Sequence, residues 1–486
     1  MMRTCFLIPC LLAMALTWAA PAPARGATTE GSLKSYRGII HVHSNFSTGE
    51  LSPAEVVAKA KKAGIKIVVF TDHDLVRASW GLPPFRNLLS YTMDFKPSVF
   101  QIGVDNYFDT IENLQSENSD MVIIPAIESA PFYYVSGNPI FGEMNIHDWR
   151  RHILLIGLGR EAVKNLPVLH NGMSSRYFWT LLPGTILYLV PALFAIVLLP
   201  FRGWVRWAGF IVFFVGLIGA IDAHPFKSSP FSPYLGSQGA RPYQEIINYT
   251  DTNGGLALWA HQGSLLSKQK TKFGNLLTPP HVEMLTETVN YHAFDAIYED
   301  NYTASKPGRA WDKYLVGYLK GVRPKPIWGY GGIDFHSENE LRGKKRVNDI
   351  ENVFYMESLS NDAFYRALVN GRFYVSRGYT PARLQMDYFS LTSAKGQNSE
   401  TYGGGLRFKG PPQISFQVST RNGTAEKVKA QLIRMGLVIH TFEGVTPLKI
   451  DFVDRNPIDH KRFYYRLDVK GKRGEHIATN PVFVQR

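Results

Sequence analysis

The sequence predicts an α/β fold that is interrupted by a membrane-spanning hairpin and followed by a β-sandwich. Three observations predict it. A strand–helix–strand run occupies Gly38 to Asp74, two long apolar stretches fill residues 177–222, and short alternating segments follow Pro381. A chain of 486 residues is long enough for two or three folding units.

The opening stretch, MMRTCFLIPCLLAMALTWAAPAPARG, has a basic Arg3, an apolar run from Cys5 to Ala20, and then small residues and proline. That is the pattern of a signal peptide over residues 1–25, or of a retained anchor helix. Both cysteines, Cys5 and Cys10, lie inside it. A metal in the mature chain would therefore rest on histidine and carboxylate ligands. Residues 26–37 read as a polar linker.

From Gly38 the segments GIIHVH, SPAEVVAKAKKAG and IKIVVFTDHD alternate strand, helix and strand. Ser52 with Glu55 makes a capping box, Pro53 suits the first helical position, and Gly64 suits the C-terminal cap. This spacing is a βαβ unit, so the sheet is expected to be parallel. Further strands are expected at 121–127, 152–158, 256–261, 296–298 and 327–333. Polar or ionisable residues fall at or just after their ends, where α/β barrels carry active sites. His152 is the exception, because it stands at a strand's start.

Residues 177–200 and 204–221 are each long enough to cross a hydrocarbon layer of about 30 Å. The link FRGWVR carries Arg202 and Arg206 and no acid. A hairpin entering from the exported side would place these arginines in the cytoplasm and return the chain outside, with Trp179, Trp204 and Trp207 in the interfacial belts. The alternative is a buried helical hairpin in a soluble domain. Beyond the hairpin, ISFQVST, VKAQLIRMG, LKIDFV, RFYYRLDV and PVFVQR are short and alternating, which predicts an antiparallel β-sandwich over 381–486. His440, His460 and His476 in this region have no second ligand candidate nearby and read as surface or packing residues.

Composition supports the same picture. Hydrophobic residues make up 45% of the chain and charged residues 19%, which describes a globular, partly membrane-associated protein. The formal charge of +13 suits an anionic membrane or substrate. Lysine and arginine do not run together with interleaved aromatics, so no nucleic-acid partner is expected.

Alternation along a strand puts His41 and His43 on one side, where two imidazoles can chelate one ion. An isolated pair of this kind is weak evidence, but matching groups follow. His73, between Asp72 and Asp74, ends the strand IKIVVF; Glu128 ends MVIIPAI; His261 ends LALWA; Asp334 and His336 form a second spaced pair after WGYGGI.

Taken together, HVHSNFST, TDHD, IPAIES, HILLIGLG, LWAHQG and GGIDFHSE resemble the successive motifs of the PHP (polymerase and histidinol phosphatase) superfamily of metal-dependent hydrolases. The resemblance spans about residues 38–380. ALVNGRFYVSRG and the tail from YYRLDV to NPVFV further resemble its exported CehA/McbA-type branch. It implies a distorted (β/α)7 barrel in two parts, 38–176 and 223–380, split by the hairpin at 177–222, with two or three divalent ions (Mn, Zn or Fe) at the mouth. Carried over, His41, His43, Glu128 and Asp334 would hold one ion. Glu128, His152 and His261 would hold a second, and His73 and His336 would contribute to a third. His152 is preferred to His147 because ILLIGLG follows it. His170, His224, His281 and His292 read as structural. The family often has Ser-Asp-Gly where this chain has Ser47-Thr48-Gly49, and threonine is a poor ligand, so the third position should be weak or completed by water.

The expected reaction is ester hydrolysis by a hydroxide shared between two cations, on a small-molecule or lipid-like substrate. Asp334 would orient or deprotonate the water, and His336 or His73 would protonate the leaving group. Glu299 and Arg377 are candidates for shaping the mouth. Phosphoesters are the favoured substrates, with carboxylic or carbamate esters next. A non-catalytic metal-binding membrane module is the reading from another class.

Overall fold

The computed structural model describes residues 33–486 apart from 140–141, 266, 272–273, 300, 341–342, 380, 394–398, 408–409 and 457–459. The signal-peptide reading of residues 1–25 lies outside the described residues. In chain order the strands that build and frame the barrel are β1 (Lys34–Val42), β2 (Ile67–His73), β3 (Arg77–Gly81), β4 (Ser90–Asp94), β5 (Val122–Ser129), β6 (Tyr134–Ser136) and β7 (Asn145–His147). They continue with β8 (Ile153–Ile156), β9 (Leu256–Trp259), β10 (Lys268–Thr271), β11 (Gly274–Leu277), β12 (Ala293–Tyr298) and β13 (Trp328–Phe335).

Seven of these close a barrel in the order β1-β2-β5-β8-β9-β12-β13, with β13 pairing back onto β1. The sheet is not wholly parallel, as the first βαβ unit had suggested. β8 runs antiparallel to both β5 and β9. A parallel return needs a crossover, usually a helix, to carry the chain back to the other end of the sheet. Between β5 and β8 the described residues make only the short strands β6 and β7, so the chain stays at the mouth and β8 starts there.

One face of each barrel strand fills the interior: Ile40, Val69, Ile124, Leu154, Leu258 and Tyr330 share a cluster that Phe364 and Leu368 of the helix Asn361–Val369 complete. The other face packs on outer helices through Val56, Tyr107, Ile246 and Trp311. The helix Pro53–Lys62 has the capping box read from sequence, with Ser52 accepting from the Glu55 amide and Glu55 accepting from the Ser52 amide. Two further pieces sit above the mouth: the β3–β4 ribbon and the small sheet β10-β11-β7-β6, which share Ala78, Met93, Ile146 and Leu276 in one apolar cluster.

The two apolar helices, Phe178–Leu198 and Trp204–Asp222, are long and apolar enough to cross a membrane. They are not core helices of the barrel, because Leu187 is 71% exposed and Phe194 68%. They pack on each other through glycine: a Cβ at Gly219 would lie 2.2 Å from the Tyr188 ring, and one at Gly216 would lie 2.8 Å from Ala192 Cβ. Small residues of this kind let two apolar helices approach closely.

The linker expected over 26–37 ends earlier than predicted, since Lys34–Gly38 already pair antiparallel with the strand Ile350–Met356. Antiparallel structure likewise starts at Ile350, ahead of 381. That strand and Phe373–Arg377 carry the barrel sheet on into His476–Thr479, Arg462–Gly471 and Lys427–Arg434. A second sheet holds Leu384–Ser393, Pro412–Thr420 and Leu448–Val453 and faces the first across Val353, Tyr374, Phe389, Phe416 and Leu467. The two regions are locked by Arg466, fully buried, which donates to both Asp312 oxygens at 2.8 and 2.7 Å from the sheet to the helix Ala310–Leu319.

Candidate metal centre

Regular alternation alone would place His41 and His43 on the face of Ile39, which packs against the helices. The strand does not keep its phase. Its register to β2 pairs Ile40 with Val69 but Val42 with Phe70, leaving His41 as an extra, bulged residue with φ 73°. Val42 therefore returns to the helix side, and both histidines turn into the mouth. Asp334 (φ 47°) and His261 (φ 31°) also sit in the left-handed region. Such positions cost about 1–3 kcal/mol each for a residue with a Cβ and concentrate at working sites.

Glu128, at the end of β5, lies at the centre. Its Oε1 is 3.1 Å from His41 Nε2, 2.8 Å from His152 Nδ1 and 3.0 Å from His261 Nε2. Its Oε2 is 3.0 Å from His43 Nε2 and 3.4 Å from His73 Nδ1. Asp334 Oδ1 closes one side at 3.2 Å from His41 Nε2, 3.4 Å from His43 Nε2 and 3.0 Å from His336 Nε2. Among the described residues two groups could hold an ion: His41, His43, Glu128 and Asp334, and His73, Glu128 and His152. His73 thus falls beside Glu128 and His152. His336 stacks on His43 at 4.2 Å, and its Nδ1 is 2.9 Å from Thr48 Oγ1.

His152 reaches the centre because β8 is reversed: the start of that strand meets the ends of the others. His147 lies in β7, stacked on Tyr134 at 4.4 Å and 2.8 Å from Ser136 Oγ. His170 contacts Tyr133 and Ser79, His281 packs by Trp259, and His292 lies beside Lys325. His476 corrects the sequence reading. It is buried with its Nε2 2.9 Å from Asp468 Oδ2, so it does have an acidic partner. That contact was invisible in sequence because seven residues of hairpin separate the two.

The donor set fits divalent cations. His41 Nε2, His43 Nε2 and His73 Nδ1 are buried and make no well-directed hydrogen bond among the described residues, although each lies 3.0–3.4 Å from a Glu128 oxygen. Ligands around one ion at bonds of 2.0–2.2 Å stand roughly 3–3.5 Å apart, as these atoms do. Charge points the same way. Burial works to raise Glu128 and Asp334, yet the surrounding imidazoles hold both well below the usual carboxylate range. Burial opposes a proton on His43, but Asp334 and Glu128 outweigh it and push its pKa up to about 10. The pair of carboxylates demands positive charge between them.

Several supporting residues escaped the sequence reading. The acids flanking His73 are braces. Asp72 accepts from the Ser44 amide and hydroxyl at 2.8 Å each and from Ser47 Oγ at 2.6 Å, which fixes the loop after His43. Asp74 accepts from Ser129 Oγ at 2.5 Å, tying the ends of β2 and β5. Tyr298 donates to Asp334 Oδ2 at 3.0 Å. Lys345 donates to the Asp334 carbonyl at 3.0 Å and lies 2.7 Å from Glu340. Asp295 accepts from the Gly332 amide at 2.9 Å and is buried beside His41, where burial lifts its carboxyl well above the usual range. An acid within the apolar strand AFDAIY was the available signal. Arg377 does not enter the mouth; it donates to the carbonyls of Glu299 and Gly474.

Above the centre is a cavity of about 510 Å³ whose walls include Phe95, Trp149, Arg150, Gln269 and Glu299. Phe95 and Trp149 pack with their rings tilted by 57° and centroids 4.9 Å apart, and Arg150 donates to Gln269 Oε1 at 2.6 Å. The site therefore offers an apolar wall and a guanidinium opposite the cluster of histidines.

Residues 40–169 match the model of the PHP domain family. A comparison with curated proteins found no match. Among solved structures, the chain is similar to a two-domain protein from Bacteroides vulgatus containing a predicted PHP-like metal-dependent phosphoesterase, at 12% identity over 90% of this chain and 91% of that one, with a TM-score of 0.36. It is also similar to an inferred metal-dependent phosphoesterase from Bifidobacterium adolescentis, at 14% identity over 68% and 95% of the two chains, with a TM-score of 0.29. An amidohydrolase from Chromobacterium violaceum is similar at 12% identity over 69% and 96%, with a TM-score of 0.28.

Proposed function

We propose that this chain is an exported, membrane-tethered, metal-dependent hydrolase, and that phosphoesters are its substrates. The observation that carries the reading is Glu128, whose two oxygens face different histidines and which belongs to both ligand groups. A carboxylate so placed suits a pair of ions. His41, His43, Glu128 and Asp334 would hold one, and His73, Glu128, His152 and His261 the other. Divalent ions there would supply an activated water and stabilise charge that develops on the phosphoryl oxygens.

The remaining roles fall to the chain's own groups. Asp334, held by Tyr298, can take the proton of the attacking water. His336, partly exposed to the cavity and oriented by Thr48, can return a proton to the leaving oxygen. Arg150 can meet the substrate's anionic group, and Phe95 with Trp149 its apolar part. An anionic partner for Arg150 favours phosphoester over neutral ester.

The membrane anchor is the second half of the proposal. Trp179 stands at one end of the exposed hairpin and Trp204 and Trp207 at the other, with Arg202 in the link between helices and Arg206 in the first turn of the second helix. Retention of arginine on the cytoplasmic side returns the barrel to the exported side. The ribbon β3–β4 joins the two parts. Its base residues Val76 and Phe95 line the cavity, while Asn87 and Leu88 at its tip donate to Asp222 at the helix end. Five residues of strand span about 17 Å, so a lipid-like ester lies within reach of the mouth.

Turnover of bis-p-nitrophenyl phosphate, p-nitrophenyl phosphate and a naphthyl ester, each with Mn²⁺ or Zn²⁺, tests the reaction. Phosphodiester or phosphomonoester turnover that is lost in His41→Ala supports it. Turnover of the naphthyl ester alone would favour the CehA/McbA-type reading that ALVNGRFYVSRG suggests. No turnover of any ester by protein loaded with metal would favour a binding module.

A further inference from the structure

We infer that the cavity at the outer end of the apolar hairpin, between Lys227, His224 and the β3–β4 ribbon, is a binding site for the phosphate headgroup of an anionic lipid. The inference rests on the hairpin being a membrane anchor. Its location comes from one contact set. Asp222, the last residue of the second helix, accepts from the amides of Asn87 and Leu88 at 2.7 and 2.8 Å, so the ribbon tip sits at the helix end. Beside it is a cavity of about 190 Å³ lined by Asn87, Ser90, His170, His224, Lys227 and Ser232, among others.

The chemistry of that cavity suits an anion. Lys227 is half-buried and forms no ion pair among the described residues. Asp222, whose charge it feels, already accepts three hydrogen bonds from Asn87 and Leu88. His224 Nδ1 is buried without a hydrogen-bond partner among the described residues. A buried ring nitrogen left unpaired is costly, and in its Nδ1–H tautomer His224 can donate to the same phosphate oxygens that the Lys227 ammonium meets with a charge-assisted bond.

The rim suits a lipid in place of a free phosphate. Leu88 and Leu89 are each 50% exposed, Leu82 44% and Met173 78%, and Phe226 is exposed next to Lys227. These apolar side chains lie near the barrel-side end of the hairpin, where an anchored hairpin would meet the lipid headgroups. A polar, cationic pocket inside an apolar rim is complementary to one molecule that has both parts.

The test uses the purified full chain in detergent, titrated with dihexanoyl phosphatidic acid, dihexanoyl phosphatidylcholine or inorganic phosphate while its thermal midpoint is followed. Phosphatidic acid should raise the midpoint saturably, and Lys227→Gln should weaken its apparent affinity about tenfold, the loss of one charge-assisted contact. Lys227→Arg should keep most of it, and His224→Gln should weaken it in a protein whose lysine is intact. Turnover of a soluble ester should be the same in Lys227→Gln as in wild type. Equal affinity for phosphatidic acid in Lys227→Gln and wild type overturns the site, as does a stronger response to phosphatidylcholine. Equal affinity for inorganic phosphate overturns the lipid assignment. Alkaline carbonate washing of membranes reports on the anchor separately, because release of wild-type chain would sink the anchor whatever Lys227 binds.

Discussion

Replacing Glu128 by glutamine keeps its shape and removes one negative charge from between the two ligand groups. Five imidazole nitrogens lie 2.8–3.4 Å from its oxygens, so no other residue can take over its position. Two unit charges about 4 Å apart interact by roughly 4 kcal/mol at an effective dielectric constant near 20. The amide oxygen of glutamine remains a neutral ligand and recovers part of this. A net loss of about 2–3 kcal/mol per ion corresponds to a dissociation constant roughly 30- to 150-fold weaker. Equilibrium dialysis with metal analysis should therefore find two or more ions per wild-type chain and at most one in Glu128→Gln at equal free metal. Ester turnover should fall at least 100-fold. His147→Ala, which changes a histidine outside the centre, should leave both readings unchanged. Full metal content and full turnover in Glu128→Gln would refute the bridging role and with it the paired-ion mechanism.

Three further outcomes are expected. His43 holds a proton up to about pH 10 in the metal-free protein, so below that pH the ion it ligates must displace it; apparent affinity at that position should rise about tenfold per pH unit from 7 towards 10, with close to one proton released as it fills, measured by calorimetry in buffers of different ionisation enthalpy. Thr48 Oγ1 lies 2.9 Å from His336 Nδ1, so Thr48→Asp should supply the missing carboxylate and add an ion to the stoichiometry found by metal analysis. Asp312→Ala strands the buried Arg466 charge between barrel and sandwich and should cost about 3–5 kcal/mol in urea unfolding, whereas Asp312→Leu with Arg466→Met should recover most of it.

Much of the centre was legible in the sequence because metal chemistry demands particular donors and strand ends supply them in order. His41, His43, His73, Glu128, His261, Asp334 and His336 all converge within one cluster. The apolar hairpin and the capping box of Pro53–Lys62 were legible too, since both depend on local composition. Other features were not. Asp72 and Asp74 looked equivalent to ligands, yet each is turned away to brace a loop or a neighbouring strand. Tyr298 and Lys345 are unremarkable in sequence because their role depends on which strand lies next to theirs, and Asp295 showed there only as an acid inside an apolar strand. His476 gained its partner Asp468 only through antiparallel pairing.

By itself, then, the sequence determined which side chains can bind a cation, the order in which strands deliver them, and where an apolar hairpin interrupts the barrel. Those properties reside in residue type and short-range periodicity. Only the tertiary structure decided that β8 runs backwards, so that His152 at its start arrives where other strands end. It also decided that a bulge at His41 turns both histidines inward, and that one carboxylate, Glu128, stands between two ligand groups. These depend on strand direction, register and closure of the sheet, which are set by contacts between residues far apart in the chain.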